Sequence, residues 1–249
     1  MGMDRVGLQP VLFWDFDGTL VKSPHLWSTL LLRALKGAWP DCPHTLEDVR
    51  PLLRTGFPWH TPDADLSHMK GEAWWDCMYR HFEIVCLALN APDSAAHKAA
   101  RAIRCLIRDP ELYALYPDTL SALDRCQRLG FAQYIVSNNH PDLAYVLDSL
   151  RLSPWFQGVI VSGELGVDKP RREIFQYALD MAGRPGLCFM IGDNPYADGE
   201  GAKNAGIPPL LVHPKEPAPG FPCFDTLAGI ADYLQEALHA ASLDGHFGL

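Results

Sequence analysis

Short apolar runs, each closed by polar residues, recur along the chain and predict buried β-strands. The first run, PVLFWD, ends at Asp15 and leads into a turn at Gly18. Four later runs have the same form: FAQYIVS ending at Ser137, GVIVSG near Ser162, LCFMIGD at Asp193 and PLLVH at His213. Helical periodicity separates them, over residues 118–129, 142–150, 172–181 and 197–205. Strands that alternate with helices predict an α/β fold, in which a mostly parallel sheet is covered on both faces.

Residues 21–115 have a different pattern. Apolar positions recur there at helical spacing in LWSTLLLRAL, LEDVRPLL, AWWDCMYRHFEIVCLAL and SAAHKAARAIRCLI, with no convincing strand between them. We therefore expect a helical cap domain inserted between the first and second strands of the core. The predicted domains are an α/β core formed by residues 1–20 and 116–249, and a helical cap formed by residues 21–115.

Length and charge restrict the class of protein. The chain has 249 residues and a formal net charge of -9 at pH 7, so it lacks the basic surface that nucleic acid or an anionic membrane requires. No apolar run is long enough to span a membrane, and the first ten residues, MGMDRVGLQP, lack the apolar segment of a secretory signal. The seven cysteines are scattered and never form a CxxC pair, which is typical of reduced thiols. These features predict a cytoplasmic protein with no nucleic-acid or membrane partner, and they do not predict an oligomeric state.

Candidate chemistry is concentrated where the predicted strands end. Asp15 and Asp17 are separated by one residue, and Gly18 and Thr19 follow in a loop whose amides can approach a ligand. Two carboxylates at this spacing can share a divalent cation, while one attacks phosphorus and the other moves protons. A solvated turn would have the same composition, so this segment alone is a moderate signal.

Three further strand ends carry the matching groups. Ser137 and Asn138 offer a hydroxyl and amides suited to phosphoryl oxygens, and Lys169 offers a positive charge that can hold a nucleophile in place. Asp193 offers an additional oxygen ligand for magnesium, with Asp198 as an outer-shell or secondary ligand. Ligands of open α/β sheets bind at the carboxyl ends of the strands, so we expect these side chains to meet there.

The order of these motifs resembles that of the haloacid dehalogenase-like (HAD) hydrolase superfamily. The four motifs of the family are matched at Asp15–Thr19, at Ser137, at Lys169–Pro170 and at Gly192–Asp193 with Asp198. The resemblance implies a Rossmann-like parallel sheet with a helical cap, and a phosphatase that uses Mg²⁺.

The resemblance also implies roles for individual residues. Asp15 is the nucleophile that becomes an aspartyl-phosphate, Asp17 is the general acid and base, and Lys169 offsets negative charge. Mg²⁺ is held by the Asp15 carboxylate, the Asp17 backbone carbonyl and Asp193. The expected substrate is a small phosphorylated metabolite, with phosphoglycolate and sugar phosphates as candidates by family analogy alone.

Several alternatives belong to the same family. A dehalogenase would lack an acid at Asp17, and a phosphonate-cleaving enzyme would need a Schiff-base lysine in its cap. A phosphomutase uses the same phosphoaspartate and is not excluded. A noncatalytic binding protein is a further alternative, although all four motifs keep their characteristic residues. The chain reads DGTLVKS where many relatives read DGTLVDS, so we also consider Lys22 as a substrate-binding residue, beside the simpler interpretation of a solvated hinge lysine.

Overall fold

Six parallel strands form the central sheet of the part of the chain that the computed structural model describes, residues 9–61, 64–214 and 218–243. The strands in chain order are β1 (Val11–Trp14), β2 (Val21–Lys22), β3 (Ala114–Leu115), β4 (Ala132–Ser137), β5 (Gly158–Val161), β6 (Cys188–Gly192), β7 (Pro209–Val212) and β8 (Cys223–Phe224). The large sheet has the order β5-β4-β1-β6-β7-β8, and every neighbouring pair in it is parallel. The predicted fold class, a Rossmann-like α/β sheet, is therefore confirmed.

Helices cover the sheet and fill the chain between β2 and β3. In chain order they are α1 (Leu26–Ala38), α2 (Leu46–Val49), α3 (Glu72–Ala88), α4 (Asp93–Leu106), α5 (Thr119–Arg128), α6 (Leu143–Ser149), α7 (Ser162–Leu165), α8 (Arg172–Met181), α9 (Gly201–Asn204) and α10 (Leu227–Leu243). Within the described ranges, no helix has the length and apolar character needed to cross a membrane.

The first strand shows why both faces of the sheet are buried. Its side chains alternate between two apolar clusters, with Val11 and Phe13 on one side and Leu12 and Trp14 on the other. All four residues are almost fully buried, so the run reads as continuously apolar rather than alternating. This burial explains why the strand was predictable from the sequence. Asp15 is the first residue after the strand ends.

The helices α1 to α4 pack on one another and on the core. Helix α4 lies against α1 and α3, and the buried indoles of Trp74 and Trp75 belong to the same apolar cluster as Leu12 and Trp14. The sheet and the inserted helices therefore share a continuous apolar interior.

Two short strands connect the inserted helices to the sheet region. In the antiparallel pair β2–β3, Val21 lies opposite Leu115 and Lys22 opposite Ala114. The expectation of no strand in residues 21–115 was therefore wrong, because strands of two residues are too short to produce a periodic pattern. The amide of Tyr116 also donates to the Leu20 carbonyl over 3.2 Å, which fixes the two connections side by side.

The predicted helix over residues 197–205 differs in detail. The structure has a π-helical segment, Pro195–Glu200, that continues into α9. The amides of Asp198 and Gly199 both donate to the carbonyl of Asn194, so the turn is wider than in an α-helix. Helix α7 and strand β8 were not predicted either, and both are very short.

Candidate active site

The polar strand ends meet because β4, β1 and β6 are neighbours in the sheet. Ser137 is the last residue of β4, Asp15 follows β1, and Asp193 follows β6. The amide of Asp15 donates to the carbonyl of Ile191 over 2.8 Å and so continues the strand pairing past the end of β1. All three residues line one cavity of about 540 Å³ between the sheet and the inserted helices.

A buried lysine joins two carboxylates at the floor of this cavity. Lys169 Nζ lies 2.9 Å from Oδ1 of Asp15 and 2.6 Å from Oδ1 of Asp198. Burial disfavours the ammonium, but the two carboxylates outweigh it and raise the pKa of Lys169. Lys169 is therefore a fixed positive charge that orients Asp15.

The side chain of Asn138 holds the backbone of this lysine. Its Nδ2 donates to the Lys169 carbonyl over 2.8 Å, and its Oδ1 accepts from the Lys169 amide over 2.6 Å. Both ends of the Asn138 carboxamide are thus occupied by Lys169, although the residue lines the cavity. The structure gives the Asn138 side chain a positioning contact with Lys169, and the substrate contact expected from the sequence stays a prediction.

Three carboxylates lie close enough to hold one metal ion. Asp15, Asp193 and Asp198 each offer an oxygen, and these oxygens lie within 4.8 Å of one another. The Gly18 backbone, at φ +83°, packs against this group, because a Cβ at residue 18 would lie 2.3 Å from Asp193 Oδ2. Oxygen ligands of this kind suit a hard divalent cation such as Mg²⁺. The Asp17 carboxylate is not a member of the group. A metal contact through the Asp17 backbone carbonyl stays a prediction.

Asp198 reaches the lysine because of the π-helical turn. The side chain of Asn194 accepts from the amides of Tyr196 and Ala197, while Asp198 Oδ2 accepts from the amide of Asn194 over 3.0 Å. Burial raises the pKa of Asp198, and the Lys169 ammonium opposes this change. Asp198 thus makes direct contact with the central lysine, beyond the secondary role that the sequence suggested.

Asp17 has a separate environment. Its Oδ1 accepts from the Ser23 hydroxyl, and its Oδ2 accepts from Nδ2 of Asn139 over 2.8 Å. Burial raises the pKa of Asp17 to about 6, helped by the neighbouring Asp15 carboxylate, while the two hydrogen bonds favour the ionised form. A carboxyl group of this pKa can both donate and accept a proton near neutral pH.

Some of the expected residues do not reach the cavity. Thr19 is fully buried, and its hydroxyl has no hydrogen-bond partner among the described residues. Lys22 is exposed, with Nζ 4.7 Å from the centre of the Tyr116 ring. Neither Thr19 nor Lys22 lines the cavity. Lys22 therefore lies on the solvated side of the hinge, and the structure gives no support to a substrate contact for it.

Other lining residues had no distinguishing signal in the sequence. Ser23 and Asn139 contact Asp17 from segments that are 6 and 122 positions away in the chain. Trp27, Phe57 and Trp59 are aromatic residues that line the same cavity as the carboxylates, and the Phe57 and Trp59 rings stack with centroids 4.8 Å apart. Only the position of Asn139, two residues after Ser137 at a strand end, could have marked it from the sequence.

Comparisons with known proteins agree with this geometry. A family model described as haloacid dehalogenase-like hydrolase matches residues 10–206. A phosphoserine phosphatase of Thermus thermophilus is 34% identical over 127 residues, which is 50% of this chain and 51% of the relative. A phosphoglycolate phosphatase of Rhodobacter capsulatus is 28% identical over 211 residues, which is 81% of this chain and 83% of the relative. The chain spans about half the length of several curated relatives that it matches.

A solved structure has the same fold. The structure of YfnB from Bacillus subtilis, assigned as a HAD-hydrolase and bound to magnesium, superposes with a TM-score of 0.70. It covers 91% of this chain and 99% of its own, at 19% sequence identity.

Proposed function

Because the chain belongs to the haloacid dehalogenase-like hydrolase family, we propose that it is a magnesium-dependent phosphatase of small phosphorylated metabolites. The observation that carries this proposal is the contact of Lys169 Nζ with both Asp15 and Asp198, beside a group of three carboxylates. A nucleophile held by a buried cation next to a metal-binding group is the arrangement that phosphoryl transfer requires.

The first step of the proposed reaction forms a covalent intermediate. An Asp15 carboxylate oxygen attacks the substrate phosphorus, and the bond between phosphorus and the ester oxygen breaks. Protonated Asp17 donates its proton to the departing oxygen, so the leaving group departs as an alcohol. The raised pKa of Asp17, about 6, supports this role, because a carboxyl group at its ordinary pKa would hardly be protonated at neutral pH.

The second step clears the intermediate. A water molecule attacks the phosphorus of the aspartyl-phosphate and gives its proton to the Asp17 carboxylate. The bond between phosphorus and the Asp15 oxygen then breaks, and inorganic phosphate and the original carboxylate are regenerated. Lys169 stays charged throughout and stabilises the negative charge on the transferring oxygens.

The residues at the site fit a divalent cation. The three carboxylates carry more negative charge than the single ammonium of Lys169 offsets. Gly18 leaves the space that Asp193 occupies, so the set is built to hold close carboxylate oxygens. A bound Mg²⁺ would supply positive charge that offsets the charge on the phosphoryl oxygens. We propose Asp15, Asp193 and the Asp17 carbonyl as its ligands, with Asp198 in support.

The helical insert, residues 21–115, is proposed to act as a cap that limits access to this site. Its residues Leu26, Trp27, Phe57 and Trp59 supply an apolar part of the lining of the cavity. A lining of this kind excludes water and favours small substrates. The names of the relatives support a phosphate ester, since they include phosphoserine phosphatase and phosphoglycolate phosphatase.

The test is hydrolysis of 4-nitrophenyl phosphate with Mg²⁺ or with a chelator, by wild type and by Asp15→Asn. We expect activity that requires both the metal and Asp15, and trapping of ³²P from a labelled substrate on wild type only. Asp180→Asn is the matched control, because Asp180 is an exposed aspartate of α8 that forms an ion pair with Arg184.

Three results would contradict the proposal. Activity that persists in Asp15→Asn would remove the aspartyl-phosphate step. A labelled enzyme that passes its phosphate to a sugar phosphate and not to water would favour the phosphomutase alternative. A folded protein that binds phosphorylated metabolites but hydrolyses none would favour the noncatalytic alternative.

A further inference from the structure

A second chamber opens beside the catalytic cavity. It has a volume of about 320 Å³ and shares His25, Ser28 and Leu53 with the catalytic cavity, so the two spaces adjoin. Its remaining lining is Glu47, Arg50, Pro51 and Arg54. The proposed reaction uses none of these residues, and a molecule bound at Asp15 could extend into this chamber past Leu53.

The chamber carries an excess of positive charge. Arg50 is partly buried, and its Nη1 lies 3.1 Å from Oε1 of Glu47, a carboxylate whose side chain is 78% exposed. Such a surface ion pair is weak and readily exchanged for another anion. The guanidinium of Arg54 has no ion pair or hydrogen bond with any residue that the structure describes. Two guanidiniums thus face one carboxylate.

The local backbone presents both arginines to the same space. Helix α2 begins at a capping box in which the Thr45 amide donates to Asp48 Oδ2 over 2.8 Å. A 3₁₀ turn, Arg50–Leu53, continues from α2, and Arg50 and Arg54, at its start and just after its end, both line the chamber. Leu53 is buried and lines both spaces, so it forms part of the boundary between them.

We propose that this chamber, which we call the arginine chamber, binds a second anionic group of the substrate. The inference rests on the proposed phosphatase function and narrows it to phosphate esters that carry a distal carboxylate or second phosphate. Guanidinium groups bind both anions through paired, charge-assisted hydrogen bonds, so the chemistry is shared by the two. The ester phosphate occupies the carboxylate end of the catalytic cavity, and the distal anion lies between Arg50 and Arg54.

The experiment uses a homologous series of ω-carboxyalkyl phosphates with their methyl esters, and the matching alkane bisphosphates. We expect wild type to prefer a charged end over the methyl ester, with KM about tenfold lower at one chain length, an amount typical of one charge-assisted hydrogen bond. The carboxylate and bisphosphate arms show which anion is preferred. In Arg54→Gln and Arg50→Gln, KM for the methyl ester divided by KM for the charged substrate should fall toward one.

Two matched variants sharpen the result. Glu47→Gln removes the carboxylate that competes for Arg50, so it should lower KM for the charged substrates. Arg128→Gln removes an exposed arginine of α5 that pairs with Asp124, and it should leave the preference of wild type intact.

The two hypotheses fail in different ways. The arginine chamber is refuted if 4-nitrophenyl phosphate is hydrolysed in an Asp15-dependent way but no chain length favours a charged end, or if both arginine variants keep the preference. The phosphatase proposal is refuted if neither 4-nitrophenyl phosphate nor any ester of the series is hydrolysed. Calorimetric binding of the same series to Asp15→Asn still tests the chamber in that case, because binding then requires no turnover.

Discussion

Nδ2 of Asn139 donates a hydrogen bond to Oδ2 of Asp17 over 2.8 Å and so joins two strand ends that are 122 positions apart in the chain. The Ser23 hydroxyl donates to the other carboxylate oxygen. The proposed acid and base is therefore held in one orientation, with both of its oxygens engaged. Each donor favours the ionised carboxylate, in opposition to the effect of burial.

Loss of the Ser23 hydroxyl should move the pH profile of the enzyme. Ser23→Ala removes a donor to the ionised form, so the pKa of Asp17 rises above its value of about 6. Since the first step uses protonated Asp17, we expect the alkaline limb of kcat/KM to shift to higher pH. Ser121→Ala, which removes an exposed hydroxyl bonded to the Asp118 carbonyl, should leave the profile unchanged. An unshifted limb in Ser23→Ala would show that Asp17 does not control it.

The stability of the metal-free protein should depend on the ionisation of Asp17. Its pKa rises from 3.8 to about 6 on folding. The resulting stabilisation is fully present below about pH 4 and is lost as the pH rises through 6. In chelator, wild type should lose on the order of 1 kcal/mol of unfolding free energy through this group between pH 5 and pH 8. Urea unfolding at both pH values checks this, and Asp17→Asn should show a smaller pH dependence; equal dependence in both proteins would contradict it.

Removal of Lys169 should harm folding and activity together. Lys169→Met leaves Asp15 and Asp198 buried without their shared cation, a change that typically costs about 3–5 kcal/mol. We expect the loss in urea unfolding to be larger at pH 8 than at pH 5, because protonation of the carboxylates relieves the repulsion. The double variant Lys169→Met with Asp198→Asn should recover part of the stability but not the activity. A loss that does not change with pH would point to packing instead.

A methyl group at Gly18 should weaken metal binding. Its Cβ would lie 2.3 Å from Asp193 Oδ2, so Gly18→Ala must displace that carboxylate. Gly130 provides a matched control, because it has φ +92° and open space around its Cβ position. Both variants carry the strain of a positive φ, about 1 kcal/mol, and only Gly18→Ala should require more Mg²⁺ for half-maximal activity. An unchanged magnesium requirement would exclude Asp193 from the metal site.

The sequence predicted correctly those elements whose buried side chains form a long apolar pattern. Strand β1 and helix α8 are long enough to carry an apolar pattern, and the carboxyl ends of parallel strands bring Asp15, Ser137 and Asp193 to one edge. That edge could be located without coordinates, because it follows from the alternation of strands and helices alone.

The contacts between distant segments could not be predicted in this way. Ser23 and Asn139 have ordinary positions in the sequence, and only the folded chain brings them to Asp17. The direct contact of Asp198 with Lys169 depends on a π-helical segment of six residues, which is too short to leave a periodic pattern in the sequence. Lys22 is exposed and does not line the cavity, because closeness to a motif in the chain does not determine the direction of a side chain on a two-residue strand. A substrate contact for Lys22 stays a prediction.

The pairing of β2 with β3 has a consequence for how such enzymes can diversify. The chain leaves the sheet region and returns to it at two neighbouring points, so everything between Lys22 and Ala114 is a single loop with closed ends. An exchange of that loop between genes would keep Asp15, Lys169 and Asp193, which all lie outside it, in the chain. Apart from Ser23, the side chains proposed to break the ester bond lie outside that loop, and the arginine chamber proposed to select the substrate lies within it. Selection could therefore change the proposed substrate preference while it keeps the proposed chemistry.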